Sequence, residues 1–338
     1  MLRLGRLPRI GLLIVALAGL VSSCAPVLHP AGPPIGPARL AADALVTADG
    51  QRLPLSVWLP RGQPRAVVVA LHGFNDYRAA FEEPAKALAV RGIVTLAYDQ
   101  RGFGGSADRG YWPGEATLGD DLVSALRLAK MRYPDLPLYL LGESMGGAVA
   151  MVTMSRADAP AVDGVILAAP AVWGRASMSL LQQGALWLAS HTLPGMTLTG
   201  RGLNIQASDN LEMLRRLSRD PLVIKETRVD AIHGLCDLMD DASAAAPRLS
   251  RRVMMLYGEQ DQVVPADPSL AVMSALPDQP VPPVLALYAA GYHMLLRDLE
   301  APRVIGDIAS FILDPGAPLP SGADLHARER LAGRGPTD

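Results

Sequence analysis

Residues 138–147 read Leu138-Tyr139-Leu140-Leu141-Gly142-Glu143-Ser144-Met145-Gly146-Gly147. An apolar run of the kind that fills a buried strand passes straight into Gly-x-Ser-x-Gly, and helical periodicity then runs from Met145 to Ser155. A strand, a sharp turn and a helix in that order are the setting in which Gly-x-Ser-x-Gly is a nucleophile elbow. The glycines have a steric reason: a side chain at position 142 or 146 would meet the crossing strand and helix while the serine is held on a strained turn. In a chain with 32 glycines the five-residue pattern alone says little, so the strand–turn–helix context carries the reading.

Working outward, the same alternation recurs. Ala66–Leu71, Ile93–Tyr98, Val165–Ala168, Val253–Tyr257 and Val284–Tyr288 are short apolar runs suited to strands buried on both faces, and Leu53–Leu59 alternates as a half-exposed strand does. Helical periodicity fills Ala79–Val90, Leu118–Met131 and Ala301–Leu313, with Pro134 closing the second of these. The pattern predicts an α/β fold: a mostly parallel central sheet with helices on both faces. Between Val165 and Val253 the rhythm stops for some eighty residues, which carry Met178, Leu180, Leu181, Leu186, Trp187, Leu188 and Met196. Helical stretches are expected there at Asn210–Arg219 and near His233–Ala244. The insertion, 173–249, is read as a helical cap (lid) whose apolar face lines an acyl-chain site, or as additional helical packing.

A serine nucleophile needs a base, and the base needs a carboxylate that orients it. In this topology they follow in the order Ser, Asp or Glu, His. Among the six histidines, His293 comes just after the strand Val284–Tyr288, while His326 falls in a polar tail and is set aside; His191 and His233 lie in the insertion and are read as surface or packing residues. Gly258-Glu259-Gln260-Asp261 follows the preceding strand. Asp261 is the choice, Glu259 the rival, and Asp267 is read as the cap of a short helix. The oxyanion hole requires two backbone N–H donors. Met145 opens a helix, where free amides and a favourable dipole coincide. Phe74, after the turn-permitting Gly73, would supply the other, and His72 is read as bonding the loop backbone. This chemistry calls for no metal and no organic cofactor.

His72–Phe74 (HGF), Tyr98–Ser106 (YDQRGFGGS), GESMGG, Gly258–Pro265 (GEQDQVVP), Gly291–His293 (GYH) and the 209–241 stretch together resemble an α/β-hydrolase of the monoacylglycerol lipase and lysophospholipase type, over about Leu45–Phe311. Many members have His where this chain has Glu143, and the loop Asn75-Asp76-Tyr77 also departs from some relatives. The resemblance implies a core of residues 45–172 and 250–314. It implies a serine hydrolase that cleaves the carboxylic ester of a single-chain lipid through an acyl-enzyme. A general carboxylesterase, thioesterase or proline-type aminopeptidase on the same triad is the runner-up. A non-catalytic envelope lipoprotein is the reading of another class, and intact Ser144, Asp261 and His293 argue against it.

The N-terminus reads as an address. Arg3, Arg6 and Arg9 precede the apolar run Ile10–Val21, which is too short for a comfortable span, since that takes about 20 residues. Val21-Ser22-Ser23-Cys24 resembles the lipobox of bacterial lipoproteins. That resemblance implies a signal peptide over 1–23, lipidation at Cys24, and, with Ala25 rather than Asp next, an outer-membrane protein facing the periplasm. Residues 24–44, rich in Pro, are expected to be a tether that could reach about 40 Å from Cys24 to Pro37. Residues 315–338 are expected to be disordered. Formal charge is near balance, 31 basic against 33 acidic residues, which excludes a basic nucleic-acid binder. The partners expected are a small lipid ester and, through the N-terminal lipid, a membrane.

Overall fold

The computed structural model describes residues 25–278 and 280–333. The first strands are β1 (Arg39–Leu40), β2 (Ala44–Val46), β3 (Arg52–Trp58) and β4 (Ala66–Leu71). Then β5 (Ile93–Tyr98), β6 (Leu138–Glu143) and β7 (Gly164–Ala168) alternate with helices α1 (Glu82–Val90), α2 (Glu115–Arg132) and α3 (Met145–Met154). The insertion carries α4 (Leu180–Thr192), a short strand β8 (Thr197–Leu198), α5 (Leu211–Arg219), its partner β9 (Thr227–Arg228) and α6 (Val229–Ala245). The core resumes with β10 (Val253–Gly258), α7 (Ala266–Ala275), β11 (Val284–Tyr288) and α8 (Ala301–Leu313), and α9 (Ala323–Ala332) follows.

Among the described residues one nine-stranded sheet runs in the order β1-β2-β3-β5-β4-β6-β7-β10-β11. It is parallel from β5 to β11, with the first three strands added antiparallel. Every residue of β4, β5, β6, β7 and β10 is buried. The side-chain period of two sorts them into two cores. Val67, Val69 and Leu71 of β4 pack toward α2, α3 and α6, whereas Ala66, Val68 and Ala70 pack toward α1 and α8. This two-sided burial explains why the strands read as unbroken apolar runs. The carboxyl ends of β4, β6, β10 and β11 lie along one edge, where the loops of the site emerge.

Two expectations are corrected. The segment expected to be a free tether lies on the body from residue 25 onward. Its few N–H groups find acceptors there: His29 donates to the Trp112 carbonyl (2.9 Å), Ile35 to that of Ala48 (2.8 Å) and Gly32 to the Asp49 carboxylate (2.9 Å). The imidazole of His29 also stacks on Tyr111. Nor is the stretch after 315 disordered throughout. Ala323 and Ala327, one turn apart on α9, are buried with Leu319, and Asp307 of α8 accepts the Ser321 N–H (3.1 Å). A Pro/Gly-rich composition concealed three well-placed apolar residues. Beyond these corrections, which concern the tether and the tail, the apolar side chains of α4, in the insertion read as a lid or as added packing, point in several directions. Leu186 packs against the core, but Leu180 and Leu181 are 86% and 83% exposed, and Trp187 and Leu188 are exposed as well.

The other insertion helix, α6, is the structural one. Its buried face (Val229, Cys236, Leu238, Met239, Ala242) packs on α3, and Gly234 lies so close to Trp112 that any β-carbon would collide with the indole. Asp267 lies in the first turn of α7, with Pro265 at the N-cap.

Candidate active site

Ser144 leaves β6 with φ 53° and ψ −117°, a conformation that an L-residue holds only under constraint. The constraint is visible in the glycines around it. A β-carbon on Gly142 would stand 2.4 Å from the Gly146 carbonyl oxygen, and one on Gly146 would stand 2.2 Å from that of Leu71. Strand, elbow and helix therefore pack backbone to backbone, and the serine side chain is left at the sheet edge. The Ser144 N–H donates to the Ala168 carbonyl (3.0 Å), which fixes the elbow to β7.

His293 reaches the serine from the loop after β11. Its Nε2 is 2.9 Å from Ser144 Oγ and its Nδ1 is 2.7 Å from Asp261 Oδ2. An ionised carboxylate only accepts, so Nδ1 carries the proton and Nε2 is left to accept from the serine hydroxyl. The other oxygen of Asp261 accepts the N–H groups of Val263 (2.7 Å) and Val264 (2.9 Å). The Asp261 side chain is wholly buried and that of His293 nearly so. The rival carboxylate, Glu259, is engaged elsewhere: it pairs with His326 (2.8 Å) and Arg330 (3.3 Å) of α9.

The loop after β4 lies against the elbow. A β-carbon on Gly73 would come within 3.3 Å of that of Ser144, so glycine is what allows this approach. The turn closes from Asp76 N–H to the Gly73 carbonyl (3.3 Å) with Asn75 at φ 64°, which asparagine tolerates. Phe74 stands in this turn with its ring edge-on to Phe103 and Trp112, and Met145 is the first residue of α3. His72 bonds the loop backbone. Its Nε2 accepts the Gln100 N–H (2.9 Å) while Nδ1 donates to the Gly73 carbonyl (2.8 Å), and burial pushes its pKa below the usual histidine range. Cys24 and the signal peptide over 1–23 lie outside the described residues.

Sequence reasoning missed the charged residues behind this arrangement. Arg297, four residues past His293, is buried with Asp76 and Glu143 (2.7 and 3.0 Å). Burial raises the pKa of Glu143, and the Arg297 charge opposes that rise. An arginine directly after the apolar Met294-Leu295-Leu296 was the available signal. Also missed were the ties from the insertion. Thr227 accepts from Asn75 (2.7 Å), Asp220 from the Tyr77 hydroxyl (2.6 Å), Ala207 from the Met294 N–H (3.0 Å), and Gln262 from the Gln206 N–H (2.9 Å).

Comparison with known proteins agrees with this geometry. A family described as serine aminopeptidase, S33 (Hydrolase_4) matches residues 62–300. The monoglyceride lipase of Mus musculus is 30% identical over 259 residues, 75% of this chain and 84% of the relative; that of Rattus norvegicus is 29% identical over 260 residues, with the same coverage. The structure of a soluble variant of monoglyceride lipase from Saccharomyces cerevisiae superposes with a TM-score of 0.68 at 18% identity, covering 86% of this chain and 98% of the other. A catalytic-type elbow at the edge of a mostly parallel sheet, a helical insertion and a match over most of the chain lead to one assignment: the chain belongs to the α/β-hydrolases of the monoglyceride lipase type and is an ester hydrolase.

Proposed function

We propose that the chain hydrolyses the carboxylic ester of a single-chain lipid, a monoacylglycerol or lysophospholipid, through an acyl-enzyme on Ser144. The observation that carries this reading is the continuous Ser144–His293–Asp261 relay, 2.9 and 2.7 Å long. Ser144 Oγ attacks the ester carbonyl carbon as its proton passes to His293 Nε2. Asp261 holds the imidazole and stabilises its positive charge. The carbonyl electron pair moves to the oxyanion, which the Phe74 and Met145 amides stabilise. When the pair returns, the ester C–O bond breaks and the departing alcohol takes the proton from Nε2. Water then repeats the sequence, releasing the fatty acid and restoring Ser144. The lipid preference is supported by relatives named as monoglyceride lipases.

The test is turnover against monoacylglycerols, lysophospholipids, p-nitrophenyl esters of increasing chain length and an aminoacyl amide. Ser144→Ala should abolish fluorophosphonate labelling, and His293→Ala should lower turnover by about 10⁴-fold. Asp261→Asn should be severe and Glu259→Gln mild, and the reverse order would overturn the carboxylate assignment. Equal turnover of acetyl and decanoyl esters would remove the lipid preference, because each buried methylene contributes about 0.8 kcal/mol.

The N-terminal sequence further supports a proposed location: the mature chain, lipidated at Cys24, would sit at the outer membrane of a bacterial envelope, facing the periplasm.

A further inference from the structure

We propose that Arg297 is a positioning residue of the hydrolytic site, a single buried cation that holds the oxyanion loop, the nucleophile elbow and the histidine loop in register. The inference rests on the triad reading above and adds a residue to it. One nitrogen, Arg297 Nη2, stands 2.7 Å from Asp76 Oδ2 and 3.0 Å from Glu143 Oε2. Glu143 precedes the nucleophile. Asp76 closes the turn that contains Phe74, with its Oδ1 accepting the Tyr77 N–H (2.8 Å). Arg297 belongs to the turn after His293, its own N–H donating to the Met294 carbonyl (2.8 Å). The three loops leave three different strands, and no backbone ladder joins their tips.

The side chains of all three are at most 10% exposed. In such a place two carboxylates repel strongly and an unpaired one is costly, so a cation between them converts repulsion into a tie. The tie matters to the chemistry because the two oxyanion donors sit on opposite sides of it. The Phe74 amide is on the Asp76 loop and the Met145 amide is two residues past Glu143. Their separation decides how well both reach one oxyanion, and a displacement of about 1 Å there costs about 100-fold in rate.

Arg297 also lines a cavity of about 780 Å³ that opens between α1, α5 and α8 and is not lined by Ser144. Truncating the side chain would join its space to this cavity, so a small planar cation could enter and take its place.

The experiment uses the whole mature chain and a p-nitrophenyl ester. Arg297→Ala should lower kcat by about 100-fold while KM stays within about threefold. Methylguanidine should restore much of the loss in a saturable way, and methylamine, which lacks the planar fork, should restore less. Arg297→Lys should fall between Arg297→Ala and wild type. A folded Arg297→Ala that keeps kcat within about twofold, or whose loss methylguanidine does not relieve, overturns the proposal. If Arg297→Ala does not fold, Asp76→Asn decides. It keeps the bond to Tyr77 but weakens the tie, so it should lower kcat, and wild-type kcat would overturn the proposal. Hydrolysis that survives Ser144→Ala would sink the triad reading and this proposal together, whereas full dependence on Ser144 with an indifferent Arg297 sinks only the proposal.

Discussion

Glu115 opens α2 with its carboxyl facing another acid. Burial first, then a hydrogen bond shared with Asp241 and the charges of Asp241 and Asp237, push its pKa from the ordinary 4.5 up to about 7. The folded state therefore holds a proton that the unfolded chain gives up earlier. The stability this provides is complete below about pH 4.5 and is lost as the pH rises through 7. Glu115→Gln, which cannot ionise, should match wild type in Tm at pH 5 and exceed it by about 2 °C or more at pH 8. A variant less stable at pH 8 would contradict this account. The same scale shows what a sequence can reveal. Ser144, Asp261 and His293 each follow a strand end, so topology alone proposes them, and the structure brings them within hydrogen-bonding distance. Glu259 was a fair rival until α9 supplied its partners. Glu143 and Asp76 stood out singly as departures from the family pattern and Arg297 as a charge among apolar neighbours, but that the three meet could not be read, because residues far apart in the chain leave no periodic trace of their contact.

Among the elements, α9 shows how composition misleads. Pro and Gly dominate the approach to it, yet Leu319, Ala323 and Ala327 are buried, and His326 and Arg330 bind Glu259 two residues before Asp261. Removing residues 315–338 should cost about 3 kcal/mol from the apolar burial alone. Turnover should also fall, as the Asp261 loop loses its brace. Thermal unfolding and kcat of the truncated chain check both, and an unchanged Tm would refute the packing argument. Strands β4, β5, β6, β7 and β10 were legible because each is buried on both faces and written in apolar residues, whereas the two- and three-residue strands β1, β2, β8 and β9 are too short to carry such a pattern. The orientation of α4 was not legible, because its apolar residues surround the helix and no single stripe marks an inner side.

At the scale of the whole molecule, the insertion divides into two parts. Residues 206–228 are tied to the oxyanion, aspartate and histidine loops. The α4 region instead presents Leu180, Leu181, Trp187 and Leu188 to the surroundings. The N-terminal segment meets the body next to residues that contact the insertion. Leu28 pairs with Trp112, which packs on α6, and His29 stacks on Tyr111, over which Arg228 of the insertion lies (4.4 Å). Cys24→Ser should release the proposed lipoprotein from membranes, as fractionation would show. A wild type recovered wholly as soluble periplasmic protein would end the anchoring proposal.

Under the anchoring proposed at Cys24, only four peptide steps would separate the lipid from Leu28, where the chain meets Trp112, a leash of at most about 14 Å. A body on so short a leash would be confined to a layer thinner than its own diameter. Its proposed lipid substrate would then be supplied at a rate set by how many molecules occupy each patch of surface and how fast they diffuse sideways, and dilution of the surrounding fluid would not change that rate.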